Sequence, residues 1–342
     1  MSGAGGIAGI PSPAVTLTAR LAEDLARIWP EGARTRDARQ GHTRLGHARL
    51  GLAVSGGPDS VALLLLAHAA RPGAVAAATV DHGLRPGSAD EAAEVARVCD
   101  RLGVPHAILR VAVAGGNVQA EARNARYAAL SDWMRENSLD ALATAHHADD
   151  QAETLLMRLN RASGVAGLAG VRERARVPGT DQLLLRPLLG WRRPELGAVV
   201  ADAGLVAADD PSNADDRFDR VRLRHALAHA AWLDIPAVAG SAGHLADADA
   251  ALDWAAAREW QQAVTAQGLG LTYRPRAPRA IALRVLARIV QQLDGEEARG
   301  QALGRLFDSL VAHQPTSIGG LVARPLPDGW SFMKAPKRRG QA

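Results

Sequence analysis

The sequence predicts an α/β protein: a parallel-sheet nucleotide-binding domain followed by a smaller, mostly helical domain. Three observations lead there. Short apolar runs alternate with helix-patterned stretches of ten or more residues between Leu50 and Leu185, the pattern of parallel strands joined by crossover helices. The glycine-rich hexapeptide Ser55-Gly56-Gly57-Pro58-Asp59-Ser60 separates one apolar run from a longer one. After about residue 235 the strand pattern stops and helical stretches follow, in a chain of 342 residues that has room for two domains.

Taken in order, residues 1–47 read as an N-terminal extension. It holds one amphipathic helix over Leu17–Trp29 and a polar, Arg-rich loop from Gly32 to Gly46. The catalytic domain is expected over 48–235. Leu50–Val54 is its first buried strand, and Val61–Ala67 is apolar and rich in helix formers. Ala74–Val80 is the next strand, running into Asp81-His82-Gly83-Leu84-Arg85. Ser88 and Glu91 are spaced as a capping box for a helix reaching Leu102. Ala107–Val113 is a strand, Gln119–Asn137 a helix, Ala141–Ala145 a short strand, and Ala148–Leu159 a helix, with Leu183–Leu185 the candidate to close the sheet. In such sheets ligands sit beyond the C-terminal strand ends, where Ser55, Asp81 and His146 all fall. Residues 236–342 are expected to form a basic helical domain, with helices over Gly243–Ala266, Ile281–Leu293 and Gln301–Val311.

Composition narrows the function. Apolar residues make up 47% of the chain, and aromatics only 4%, so the cores must be built from Ala, Leu and Val. No apolar run approaches the roughly 20 residues of a membrane span. The N-terminus lacks the basic-then-hydrophobic pattern of a secretory leader. A cytoplasmic protein with no membrane role is expected. The single cysteine, Cys99, excludes a disulfide framework and cysteine-based clusters. Residues 271–342 hold twelve Lys/Arg against five Asp/Glu, a net of +7 in a chain whose total is +4. That asymmetry favours a polyanionic partner.

The hexapeptide joins a strand to a helix, which aims backbone N–H groups and the positive end of a helix dipole at an anion. Its two glycines let the backbone approach a phosphate chain, and Asp59 can hold Mg²⁺ or a substrate hydroxyl. No Gly-Lys-Ser/Thr follows, since the only lysines are Lys334 and Lys337, and the Gly-x-Gly-x-x-Gly spacing is absent. Asp81 and His82 stand where a loop can face an adenosine. Glu121, Arg123, Arg126 and Tyr127 share a helix, and arginine there can stabilise phosphate charge through its planar fork. The run His146-His147-Ala148-Asp149-Asp150-Gln151-Ala152-Glu153-Thr154 joins a strand to a helix on the same sheet edge. Asp150 and Glu153, three apart, share a face and can hold a cation, either Mg²⁺ or an amino substrate. No cysteine or third ligand accompanies the histidines, which argues against zinc.

With Arg186-Pro187-Leu188-Leu189 and Asp210-Pro211-Ser212-Asn213 downstream, these motifs occur in an order that resembles the tRNA(Ile)-lysidine synthase family of ATP pyrophosphatases, over about residues 50–235. The resemblance implies a ligase forming a C–N bond. ATP adenylates O2 of the wobble cytidine of an isoleucine tRNA with a CAU anticodon. The ε-amine of free L-lysine then attacks C2, with release of AMP and pyrophosphate. It further implies Ser55, Gly56, Gly57, Pro58, Asp59 and Ser60, with Asp81 and His82, as the ATP site. Asp59 would lie near Mg²⁺, and Asp59, Arg126, Asp150 and Glu153 would be catalytic. A carboxylate near the attacking amine can take its proton. Ala162 stands where the family usually has glycine, in Arg-Gly-Ser-Gly, and the part after residue 240 matches poorly. Arg222, Arg224 and the basic residues beyond Arg274 are candidates for tRNA phosphate contacts. Thiolases using this loop need cysteines that are missing here, and NAD and GMP synthetases would not need a basic helical domain. A non-catalytic RNA-binding protein would not need Asp59, Asp150 and Glu153 intact. The sequence leaves the oligomeric state open, a homodimer included.

Overall fold

The structure is a computed structural model that describes residues 10–36, 43–45, 48–83, 87–112, 118–208, 217, 219–295, 298 and 300–335. It divides into two compact units, Met1–His244 and Leu245–Ala342.

The first unit opens with α1 (Val15–Ile28), which buries Leu21, Leu25 and Ile28. The Arg-rich stretch expected to be a loop pairs instead as an antiparallel hairpin, β1 (Arg34–Arg36) with β2 (Thr43–Leu45). Then come β3 (Leu50–Ala53), α2 (Pro58–Ala70), β4 (Val75–Asp81), α3 (Ser88–Leu102), β5 (His106–Arg110) and α4 (Val118–Glu136). They are followed by β6 (Ala141–Ala143), α5 (Ala148–Leu159), α6 (Val165–Leu168), β7 (Arg174–Arg176), β8 (Leu183–Leu185), α7 (Arg193–Asp202) and α8 (Asp219–Ala228). Among the described residues a six-stranded sheet has the order β5-β4-β3-β6-β8-β7. It is parallel throughout except for β7, which pairs antiparallel with β8 and caps that edge.

Chain order reverses at β3, with β4 and β5 on one side and β6 and β8 on the other. That switch point opens a crevice at the carboxyl ends of β3 and β6. Both faces of the sheet are covered. On one, α2 is buried at every position from Ser60 to Ala67, packed between the β3 side chains, α1 and α7. On the other, Tyr127, Leu130, Trp133 and Met134 of α4 cover Ala76, Ala78, Leu142 and Leu184. A helix apolar all round, such as α2, is the sequence mark of a central position. The expected capping box at Ser88 does not form. Gly87 is the N-cap of α3, and the Ser88 hydroxyl donates to the Asp81 carboxylate at 2.7 Å.

Toward the C-terminus lie α9 (Ile235–Ala263), β9 (Val264–Gln267), β10 (Gly270–Tyr273), α10 (Arg279–Asp294), α11 (Gly300–Val311), β11 (Thr316–Ile318), β12 (Leu321–Leu326) and β13 (Gly329–Lys334). The expected helices are present, joined by an antiparallel sheet of order β11-β12-β13-β10-β9 that the sequence reading did not anticipate. Its inner face carries Tyr273, Trp330 and Phe332, and Trp330 meets Tyr273 and Phe307 edge-on at 5.6 and 5.5 Å. No helix among the described residues is long and apolar enough to cross a membrane.

Candidate active site at the strand ends

The loop after β3 braces itself. Gly56 has φ +93°, a conformation that side chains rarely adopt, and a Cβ there would meet Val95 at 3.4 Å. Pro58 occupies the first helical position of α2, where no N–H is required. The Ser60 hydroxyl donates to the Gly57 carbonyl at 2.9 Å and accepts from the Ser55 amide at 3.1 Å. Both serines therefore shape the loop. Ala208 N donates to the Gly56 carbonyl at 3.0 Å, while the Gly56 and Gly57 amides find no partner among the described residues. With the helix N-terminus behind them, these amides suit an anion. One Asp59 oxygen, Oδ1, is buried without a partner.

The other Asp59 oxygen lies 3.3 Å from Nε2 of His147. This histidine is fully buried, and its ring stands 3.6 Å from Asp149 and 3.6 Å from Asp150. Burial works against a charged ring. The carboxylates of Asp149, Asp59 and Asp150 outweigh it and raise His147 to about 9. Its neighbour behaves oppositely. Burial pushes His146 down to about 4, with Arg186, Arg220 and Arg126 adding to the effect against a weaker pull from Asp150, so His146 is neutral and shares a hydrogen with Thr144 at 3.0 Å.

The acids of α5 are pinned from far along the chain. The Asp149 carboxylate accepts from Arg192 Nε and a terminal nitrogen, both at 3.1 Å, and from the Arg193 amide at 2.9 Å. Despite burial, His147 and these donors hold it well below the usual carboxylate range. Asp150 caps α5 by accepting from the His147 amide at 3.1 Å. It is also depressed, because His147 and Arg220 overcome its desolvation. Glu153, one turn on and 2% exposed, accepts from Arg220 at 2.6 Å and Arg224 at 2.9 Å. Arg220 also donates to Asp150 at 2.8 Å. The first α5 amide, Ala148 N, donates to the Trp191 carbonyl at 2.8 Å. The Trp191 ring in turn donates to Asp24 of α1 at 2.9 Å and lies under Arg20 at 4.1 Å. A cleft of about 490 Å³ opens beside Asp149, Glu153, Arg192, Arg193 and Arg224.

The structure thus brings Asp59, Asp150 and Glu153 into one cluster, joined by His147 and Arg220. Arg126 belongs to the same edge. It acts on His146 and on His82, with its guanidinium 5.3 Å from the Tyr127 ring. Burial is the larger reason that His82 is lowered. Asp81 shapes its own turn, accepting from the Gly83 amide at 3.0 Å and from Ser88. Leu84, Arg85 and the Asp209–Asn213 segment lie outside the described residues. Arg224, a candidate phosphate contact in the sequence, is committed to Glu153, and Arg222 pairs with Asp219. In the sequence, His147 stands out only as a candidate metal ligand within its histidine run and Arg220 only as part of an arginine cluster, and Arg192 does not stand out. The only hint was the Arg220-x-Arg222-x-Arg224 spacing. Among the described residues no group of three or more His, Cys, Asp or Glu forms a metal site. The buried, unpartnered Asp59 Oδ1 is the oxygen that could meet a divalent ion. Cys99 is buried in α3 with its thiol pushed up to about 12 by burial, so it is inert.

Residues 32–231 match the family described as the PP-loop domain. The tRNA(Ile)-lysidine synthase of Novosphingobium aromaticivorans is 50% identical over 292 residues, spanning 84% of this chain and 89% of that protein. The tRNA(Ile)-lysidine synthase of Zymomonas mobilis is 40% identical over 294 residues, with the same shares of 84% and 89%. Among solved structures, the U34-tRNA thiolase NcsA from Methanococcus maripaludis, with its [4Fe-4S] cluster, superposes with a TM-score of 0.50 at 15% identity. The superposition covers 67% of this chain and 76% of that one. That likeness concerns the fold.

Proposed function

We propose that this chain, which belongs to the tRNA(Ile)-lysidine synthase family of PP-loop ligases, joins free L-lysine to C2 of the wobble cytidine of an isoleucine tRNA with a CAU anticodon, using ATP. The observation that carries the reading is the contact of Asp59 with His147 at 3.3 Å and of His147 with Asp150 at 3.6 Å. It makes the phosphate loop and the acidic helix one site.

In this reading the pyrophosphate portion of ATP lies on the Gly56 and Gly57 amides at the start of α2, and the adenosine runs toward Asp81 and His82. Asp59 Oδ1 would hold Mg²⁺ carried by the triphosphate, which supplies charge neutralisation on the departing pyrophosphate. O2 of the cytidine attacks the α-phosphorus and pyrophosphate leaves. Arg126 offers positive charge at the same edge. The lysine ε-amine then attacks C2 and AMP leaves. The cleft beside Glu153 is our assignment for lysine, because its lining offers both signs of charge, as an amino acid requires. Attack needs the neutral amine, and Asp150 and Glu153 are the carboxylates that can take its proton. His147 and Arg220 hold Asp150 ionised. The basic C-terminal residues are assigned to tRNA phosphates, which position RNA without reading its sequence.

The test is direct. The protein is incubated with ATP, Mg²⁺, labelled lysine and a transcript bearing the CAU anticodon. Label on the RNA is expected, together with equimolar AMP and pyrophosphate; no transfer to RNA overturns the reading.

A further inference from the structure

One cation at this edge has no role in the scheme above. Arg186 follows β8, at the same end of the sheet as Ser55 and His146, and is 6% exposed. One terminal nitrogen donates to the Arg172 carbonyl at 2.6 Å, and its Nε is buried with no acceptor. The Tyr127 hydroxyl beside it is also buried, interacts with the Arg186 guanidinium, and has no hydrogen bond of good geometry. Among the described residues no carboxylate pairs with Arg186, whereas Asp149, Asp150 and Glu153 are all claimed by other arginines. After Tyr127, the side chain that acts on it most is another cation, Arg123. A buried guanidinium without a counter-ion is unfavourable unless a ligand supplies the negative charge. Its planar fork is suited to two oxygens of one phosphate.

We propose that Arg186, with the Tyr127 hydroxyl, receives a phosphodiester oxyanion of the RNA next to the nucleotide being modified. This rests on the function proposed above. Strand order favours RNA over ATP as the source of the phosphate. Asp81 and His82 lie on the β4 side of the glycine loop, whereas β8 is two strands away on the other side of β3, roughly 10 Å across the sheet. With the triphosphate on the β3 loop and its adenosine over β4, the accepting nucleotide approaches from the β6–β8 side.

The experiment compares wild type, Arg186→Gln and Arg186→Lys in the full chain. It reads affinity for the CAU transcript against salt, affinity for ATP, and melting temperature. For Arg186→Gln, transcript affinity is expected to fall about tenfold or more. The slope of log affinity against log salt should become shallower by about 0.7, one single-strand phosphate. ATP affinity should be unchanged, and the melting temperature should not drop. Arg186→Lys should keep the salt slope and recover only part of the affinity. Unchanged transcript affinity and slope in folded Arg186→Gln overturns the proposal, and a loss that falls on ATP instead reassigns the oxyanion to the nucleotide and overturns it as well. If the Gln variant does not fold, full transcript affinity in Arg186→Lys with a lowered melting temperature marks a structural role and has the same force. Failure of wild type to bind the transcript or take up lysine counts against the proposed function and not against Arg186.

Discussion

The two arms of the site are built in opposite ways. The glycine loop after β3 is held by bonds among Ser55, Gly57 and Ser60, with one amide, Ala208 N, reaching in from elsewhere. The start of α5 is held by residues far along the chain: Trp191 on its first amide, Arg192 on Asp149, and Arg220 and Arg224 on Glu153. A self-braced loop can keep amides and an Asp59 oxygen unsatisfied for an incoming ligand. The acidic arm has its charges matched before any ligand arrives, so it is rigid, and its disturbance is felt as instability. Under the proposed function, defects in the loop should show mainly in turnover, whereas defects in the acidic arm should show in folding as well as in turnover.

The strongest probe of that division is Glu153→Ala. It leaves Arg224 and one side of the part-exposed Arg220 without their buried partner, and with solvent screening the cost is about 1–3 kcal/mol of stability, read by urea unfolding. Asp59→Ala should do the reverse. Pyrophosphate release is expected to fall about a hundred- to a thousandfold, with transcript affinity near wild type and a melting temperature lowered only by the part that the Asp59–His147 contact supplies. A melting loss as large as that of Glu153→Ala would erase the distinction between the arms.

His147, which bridges them, gives the next effect. Its value rises from 6.5 to about 9 on folding. The associated stability is therefore fully present below pH 6.5 and lost as pH climbs through about 9, amounting to about 3 kcal/mol. His146 contributes on the other limb, between pH 6.5 and about 4, and the Cys99 thiol, raised from 9.0 to about 12, adds its own loss only toward pH 9 and above, so urea unfolding from pH 6.5 to 8.5 reports His147. That alkaline decline should flatten in His147→Gln.

Gly56→Ala should sharpen the contrast at smaller scale. A side chain at φ +93° strains the loop by about 1–2 kcal/mol, and the half-saturating ATP concentration should rise while unfolding at α5 is unaltered. The smallest effect is a gain. Ala162, just past α5, sits at φ +52°, the left-handed region where glycine is at ease. Ala162→Gly should thus stabilise by up to about 1 kcal/mol, seen as a higher melting temperature without change in turnover.

These regions also differ in how far they could be read from residues alone. The glycine loop was legible because its geometry is local: Gly-Gly-Pro between an apolar strand and an apolar helix leaves few alternatives. The limits of α5 and β8 emerged as expected, since each is an unbroken apolar or helical pattern. Arginines that neutralise α5 from positions 192, 220 and 224 are tertiary partners, and on their own stretches they look like any solvated cation. Ser88 misled for a similar reason, because a hydroxyl three residues before Glu91 can serve a cap or, as here, a distant carboxylate. The C-terminal strands were missed although β13 alternates Trp330 and Phe332 inward with Ser331 and Met333 between them. Its strands are short and lie among stronger helical patterns.

Trp191 carries one last implication. The PP-loop match begins at residue 32, after α1 has ended at Ile28. Yet Asp24 in α1 fastens the indole whose own carbonyl seats Ala148. A protein begun at residue 32, the first of the match, would retain every side chain assigned to substrate and still lose the anchor of its acidic helix. The smallest working enzyme is set by what a tryptophan leans on, upstream of where the chemistry starts.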